Sequence, residues 1–123
     1  MRREASCAMT IMKYMYPAEK LNQARRTLMA PHPEGETASF ADAFGLCSAC
    51  SKGLDQVDDE LARDWIKAIR KIMETSGLDD PERRGLYVVR AGHLTLDEKS
   101  AFSRIVDELA SWLNRRVFAE NDA

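Results

Sequence analysis

From Thr95 to Val117 the apolar residues recur with the period of an α-helix, and this stretch constrains the fold more than any other. Phe102, Ile105, Val106, Leu109, Trp112, Leu113 and Val117 fall on one side of a 3.6-residue turn. Thr95 and Glu98 stand three apart at its head, the spacing of a capping box in which each side chain reaches the other's backbone N–H. A helix with so wide an apolar stripe must bury it against another element, so the rest of the chain has to supply one.

A second amphipathic segment meets that need. Asp55, Asp58, Asp59 and Glu60 form an acidic entry suited to the positive end of a helix dipole. Leu61, Trp65, Ile66, Ala68, Ile69, Ile72 and Met73 then give one apolar face, with Arg63, Lys67, Arg70 and Lys71 on the other side and Gly77 as the stop. Each leucine- or isoleucine-sized group buried is worth roughly 1.5–3 kcal/mol. These two helices are expected to form the core, with Trp65 and Trp112 meeting near its middle.

The other segments are shorter. A first helix is expected to open at Tyr16-Pro17, because proline at the first helical position loses no hydrogen bond. It continues through Leu21, Ala24, Leu28 and Met29 until Pro31, Pro33 and Gly35 end it. Thr37 serves as the expected N-cap of a second helix, with Gly53 as its terminator. Leu86 to Val89 has the composition of a strand, but no second strand-like segment offers its backbone a partner. Asp80-Pro81 as a start and Gly92 as a stop favour a short helix, with an intermolecular strand pair as the alternative. The expectation is an all-α, compact bundle of about five helices, two of them long and amphipathic. It spans residues 16–118, after an N-terminal tail or docking segment (1–15) and before a frayed tail (119–123). Met9, Met12 and Met15 offer alternative starts that would make residues 1–11 a dispensable tail.

With 123 residues, 45% hydrophobic and 31% charged, the chain has room for one folded domain. Its net charge of -2 lacks the basic surplus by which most nucleic-acid binders neutralise phosphates. No apolar run approaches the ~18 residues that span a bilayer, and the N-terminus has no signal-peptide pattern. Three cysteines without a secretion signal point to a reducing, cytoplasmic setting.

Several groups could carry chemistry. Cys47-Ser48-Ala49-Cys50 has the spacing of a redox or zinc pair, but it lies late in a helix with no βαβ frame. A zinc site would have to recruit Cys7 and His32 or His93. Both cysteines continue the apolar stripe of Phe40 and Phe44, which makes them core thiols. His93 with Asp97 and Glu98 lacks a nucleophile beside it, and prolines interrupt His32 and Glu36 as a metal pair. Asp55, Asp58 and Asp59 have the chemistry of a magnesium site, yet the helix start already accounts for them. Arg25-Arg26, Arg83-Arg84 and Arg115-Arg116 add basic pairs that sequence alone cannot bring together.

Phe40, Ala41, Phe44, Gly45 and Leu46 follow an order of apolar residue, alanine and then an apolar–Gly–apolar turn. This run resembles the front half of a repressor-type helix-turn-helix. The resemblance implies a turn at Gly45 and a recognition helix from Cys47 to Leu54, with Ser48, Ser51 and Lys52 as nucleic-acid contacts. Ser51 stands where that motif buries an apolar group, and no Arg, Asn or Gln lies in the second half to read bases.

Met9, Met12, Tyr14, Met15 and Tyr16 concentrate adaptable, interface-prone side chains ahead of the expected bundle. They are the candidate interface. The function this predicts is a small non-enzymatic helical protein acting through protein–protein contact, as a regulator or inhibitor. Its partner is another protein or itself in a homodimer, with no cofactor, no metal and no catalytic residue. The alternative is a helix-turn-helix-like DNA-binding regulator using residues 37–54.

Overall fold

The computed structural model describes residues 2–122, with side chains described from Lys13 to Ala119. Six helices follow one another: α1 (Arg2–Met29), α2 (Glu36–Ala49), α3 (Ser51–Leu54), α4 (Glu60–Ile72), α5 (Leu86–Gly92) and α6 (Leu96–Asp122). Among the described residues there is no strand, so the protein is an all-α bundle. No described helix is long and apolar enough to cross a membrane.

α6 begins as its sequence requires. Glu98 Oε1 accepts from the Thr95 N–H at 2.9 Å, and Thr95 Oγ1 accepts from the Glu98 N–H at 3.1 Å. Its stripe is buried from Phe102 to Leu113. The longest partner of this stripe is α1, not α4, and α1 does not open at Tyr16-Pro17 but runs through Pro17 without a break. An interior proline leaves one carbonyl without its usual donor and crowds the preceding turn. Here Pro17 is fully buried where α3 crosses α1, and this packing offsets the lost bond. Tyr14, one turn earlier, is 2% exposed and meets Trp112 edge-on at 5.8 Å. Tyr14, ahead of Tyr16, is thus packed into the core, while its neighbours Lys13 and Met15 are exposed.

Arg25 of α1 pairs with Asp107, Asn22 with Asn114, and Met15 and Ala18 share a groove with Val117. Partner numbers rise on α6 as they fall on α1, so the two helices run antiparallel. Trp112 thus finds its aromatic partner on α1. Trp65 belongs to none of the described aromatic pairs and sits half-buried at the edge of the core, so the two tryptophans do not form the expected central contact.

α2 packs between α1 and α5. Its N-cap is Gly35, at a φ of 100° that favours glycine, and not Thr37, which is exposed. Phe44 meets Phe102 at 5.0 Å and Tyr87 at 5.8 Å, both edge-on. α2 stops at Ala49, and the chain turns at Cys50 into the single turn of α3, so Gly53 lies inside α3 instead of ending α2. A Cβ on Gly53 would overlap the Pro17 ring, with Cδ at 3.2 Å and Cγ nearer still. α4 starts at Asp59, whose carboxylate accepts from the Ala62 N–H at 3.0 Å.

The stretch from Asp80 resolves in favour of a helix, but a later one than the proline suggests. Asp80 closes a turn by accepting from the N–H groups of Arg84 (2.9 Å) and Gly85 (2.8 Å). Helix α5 then begins at Leu86, and Leu86 to Val89 lie within it.

Candidate interaction surface

Two side chains, Arg90 and Glu98, fix one end of the molecule. Arg90 of α5 donates from Nε to the Ile72 carbonyl at 2.6 Å, satisfying an orphan acceptor at the end of α4, and from Nη2 to Glu98 Oε2 at 2.7 Å. Glu98 also serves the capping box. The Thr95 backbone N–H, followed by the Arg90 contact, holds its carboxyl below the ordinary carboxylate value. Both oxygens of Glu98 are engaged, so it is not free to act as a base for His93, which is exposed at the end of α5.

Several of the remaining chemical candidates are similarly occupied, while Asp58 and Asp97 are exposed. Asp59 caps α4, and Asp55 pairs with Arg70 at 2.7 Å. Arg70 also donates to the Ser51 carbonyl and hydroxyl, each at 3.1 Å, so one member of the basic α4 face is spent on holding α3. His32 pairs with Asp42 at 2.9 Å rather than with Glu36, and Glu36 accepts from Lys99 at 2.6 Å. The Glu34 N–H donates to His32 Nδ1, which leaves Nε2 as the nitrogen that donates to Asp42. Among the described residues no three His, Cys, Asp or Glu side chains gather where they could hold a metal ion. The arginine pairs of α1, of the loop before α5 and of α6 stay on separate elements.

Cys47 and Cys50 are both buried and free. Burial pushes the Cys47 thiol up to about 12, with Cys50 as a lesser cause, and burial pushes Cys50 up to about 11. Cys50 Sγ donates to the Cys47 carbonyl at 3.4 Å. Cys7 lies outside the described side chains.

Residues 40–49 are continuous helix, so the turn that the helix-turn-helix resemblance implies at Gly45 is absent. The next element, α3, is a single turn of helix, too short to lie along a major groove. Ser48 and Lys52 are exposed, and Ser51 is half-buried against Arg70.

The N-terminal cluster divides. Tyr14 points into the core, where no partner reaches it. Met15 and Tyr16 are exposed at 46% and 49%. Met9 and Met12 lie outside the described side chains. Two further large apolar side chains that the sequence did not single out as surface are exposed: Met29 at the end of α1 (78%), which lines a groove with Pro31, His32 and Leu96, and Phe118 near the end of α6 (71%). Phe118 directly follows Val117, which lines an open groove of about 290 Å³ with Met15, Ala18, Glu19, Asn22, Arg26 and Asn114. Its position one residue past the end of the buried stripe was the only signal in the sequence. At the groove's centre Asn22 and Asn114 exchange two amide hydrogen bonds of 2.9 Å. Lys20 Nζ stands 5.3 Å from the Tyr16 ring centre, and Arg116 lies 5.4 Å from that of Trp112.

Compared with protein-family models, curated proteins and solved structures, the chain matches none.

Proposed function

We propose that this chain is a non-enzymatic helical protein that acts by binding protein, as a small regulator or inhibitor in a reducing cytoplasm. The observation that carries this reading is the α1–α6 pair, where Met15 is exposed at the edge of an open groove, Phe118 is exposed beside the groove residue Val117, and Tyr16 is exposed on α1. Exposed large apolar side chains gathered near an open groove mark a contact surface. The non-catalytic part of the reading is supported by the engagement of Glu98, Asp59, Asp55 and His32 in structural bonds, and by thiols held in their protonated, unreactive form.

The test is native mass spectrometry of the protein purified gently from its own cells, compared with the double variant Met15→Glu/Phe118→Glu. The wild-type chain is expected to carry a stoichiometric protein partner or a second copy. The variant, with unchanged circular dichroism, is expected to run as a bare chain of 13.9 kDa. A bare wild-type chain would contradict the reading.

A further inference from the structure

We propose that the α1 face from Met15 to Met29 is a self-association surface, on which a second copy of this chain lays its own α1 antiparallel about a two-fold axis near Asn22. The inference rests on the preceding reading, that the α1–α6 face binds protein, and it names the partner. Met15, Glu19, Asn22 and Arg26 line one groove. Steps of three or four residues keep them on one face of the helix, and Met29 falls on the same face two heptads beyond Met15. Read along the helix, that face is apolar, acidic, polar, basic and apolar.

Such an order is complementary to itself in one orientation only. Turned end over end about Asn22, Glu19 meets Arg26 of the second copy, and Arg26 meets Glu19 of the second copy. The exposed methionines then cover the opposite ends of the strip. In a parallel pair, Glu19 would face Glu19 and Arg26 would face Arg26, which like-charge repulsion disfavours. This is the isologous geometry that a two-fold dimer demands, with one patch serving both sides.

Within the chain the two charges are available for this role. Among the described residues neither Glu19 nor Arg26 forms an ion pair, whereas the neighbouring Arg25 is taken by Asp107 at 3.4 Å. Both are exposed. The Asn22–Asn114 amide pair anchors α6 beside the axis, so that Val117 and the exposed Phe118 extend the apolar end of the surface. Register is fixed by the charges, since sliding the strip by one turn separates Glu19 from Arg26 of the second copy, and a slide of one heptad sets Asn22 against a methionine.

Sedimentation equilibrium of the full chain tests this through charge exchange. The wild-type chain is expected to dimerise, and more weakly as salt screens the exposed pairs. Glu19→Arg and Arg26→Glu each place two like-charge contacts in the symmetric dimer and should each weaken it by about tenfold or more. An equimolar mixture of the two variants regenerates both opposite-charge contacts and should recover the dimer as a heterodimer. Both substitutions lie on exposed helical positions, and circular dichroism verifies that the fold is retained. A dimer indifferent to either charge, or a mixture that fails to recover it, would overturn the antiparallel α1 contact. A monomeric chain that retains a different protein, lost in Met15→Glu, would overturn self-association while leaving the binding function in place. A monomer with no partner would overturn both.

Discussion

Gly53 and Pro17 illustrate how single residues set this fold. Glycine is required at Gly53 because α3 crosses α1 directly over the buried proline, and a methyl group there would strike the ring. Gly53→Ala is expected to destabilise the protein by about 1–3 kcal/mol, the range of core overpacking, as read from urea unfolding. Ala substituted at Gly45, where the same methyl group would meet nothing, should not destabilise. The two buried thiols give a pH signature. Their folded-state values lie above the ordinary 9.0, at about 12 for Cys47 and about 11 for Cys50. The folded chain therefore holds protons that the unfolded chain releases. Stability is full below pH 9.0 and falls as pH rises from there towards 11–12. The urea midpoint should decline over that window, less steeply in a variant carrying Ala at both cysteines. A thiol reagent at pH 8 should label Cys47 and Cys50 only once the protein unfolds.

At the scale of elements, the capping box at Thr95 and the Arg90 clamp hold α4, α5 and α6 together at one end. Thr95→Ala is expected to cost about 0.5–2 kcal/mol in the same unfolding assay. Arg90→Ala removes donors from the Ile72 carbonyl and from Glu98, and should cost about 1–3 kcal/mol. The capping box was legible in the sequence, as were the all-α class, the acidic start of α4 and the helical state of Leu86 to Val89, because each rests on local chemistry within a few residues. What could not be read locally was decided by tertiary contacts. Pro17 looked like a helix start because the burial that compensates its missing N–H comes from α3, far along the chain. Tyr14 looked like an interface residue because only its packing on Trp112 distinguishes a core aromatic from a docking one. Gly45 mimicked a helix-turn-helix turn, but the flanking Phe44 and Cys47 are both held in the core by a helix that does not bend there. Of the candidate surface, Met15 and Tyr16 were visible as a cluster, whereas Phe118 and the Glu19–Arg26 arrangement emerge only when α1 and α6 lie side by side.

The whole molecule presents a core closed by α1, α2, α4, α5 and α6, while the antiparallel α1–α6 pair leaves Met15, Tyr16, Met29 and Phe118 exposed, with Leu61 and Leu86 exposed on α4 and α5. Phe44 marks the other side of this division. It touches both Tyr87 and Phe102, and Phe44→Ala should destabilise the domain by about 3–5 kcal/mol, whereas Phe118→Ala should leave stability nearly unchanged and lower association. Core and surface are thus separable by mutation. The most direct test of a function that resides in contact through the α1–α6 layer is hydrogen exchange, measured by mass spectrometry on the associated protein and on the diluted, dissociated chain. Association is predicted to slow exchange in peptides covering residues 14–29 and 107–119, with no change around Cys47 or in α5. Equal exchange in the two states across those peptides, or protection confined to the opposite side of the bundle, would contradict contact through this layer.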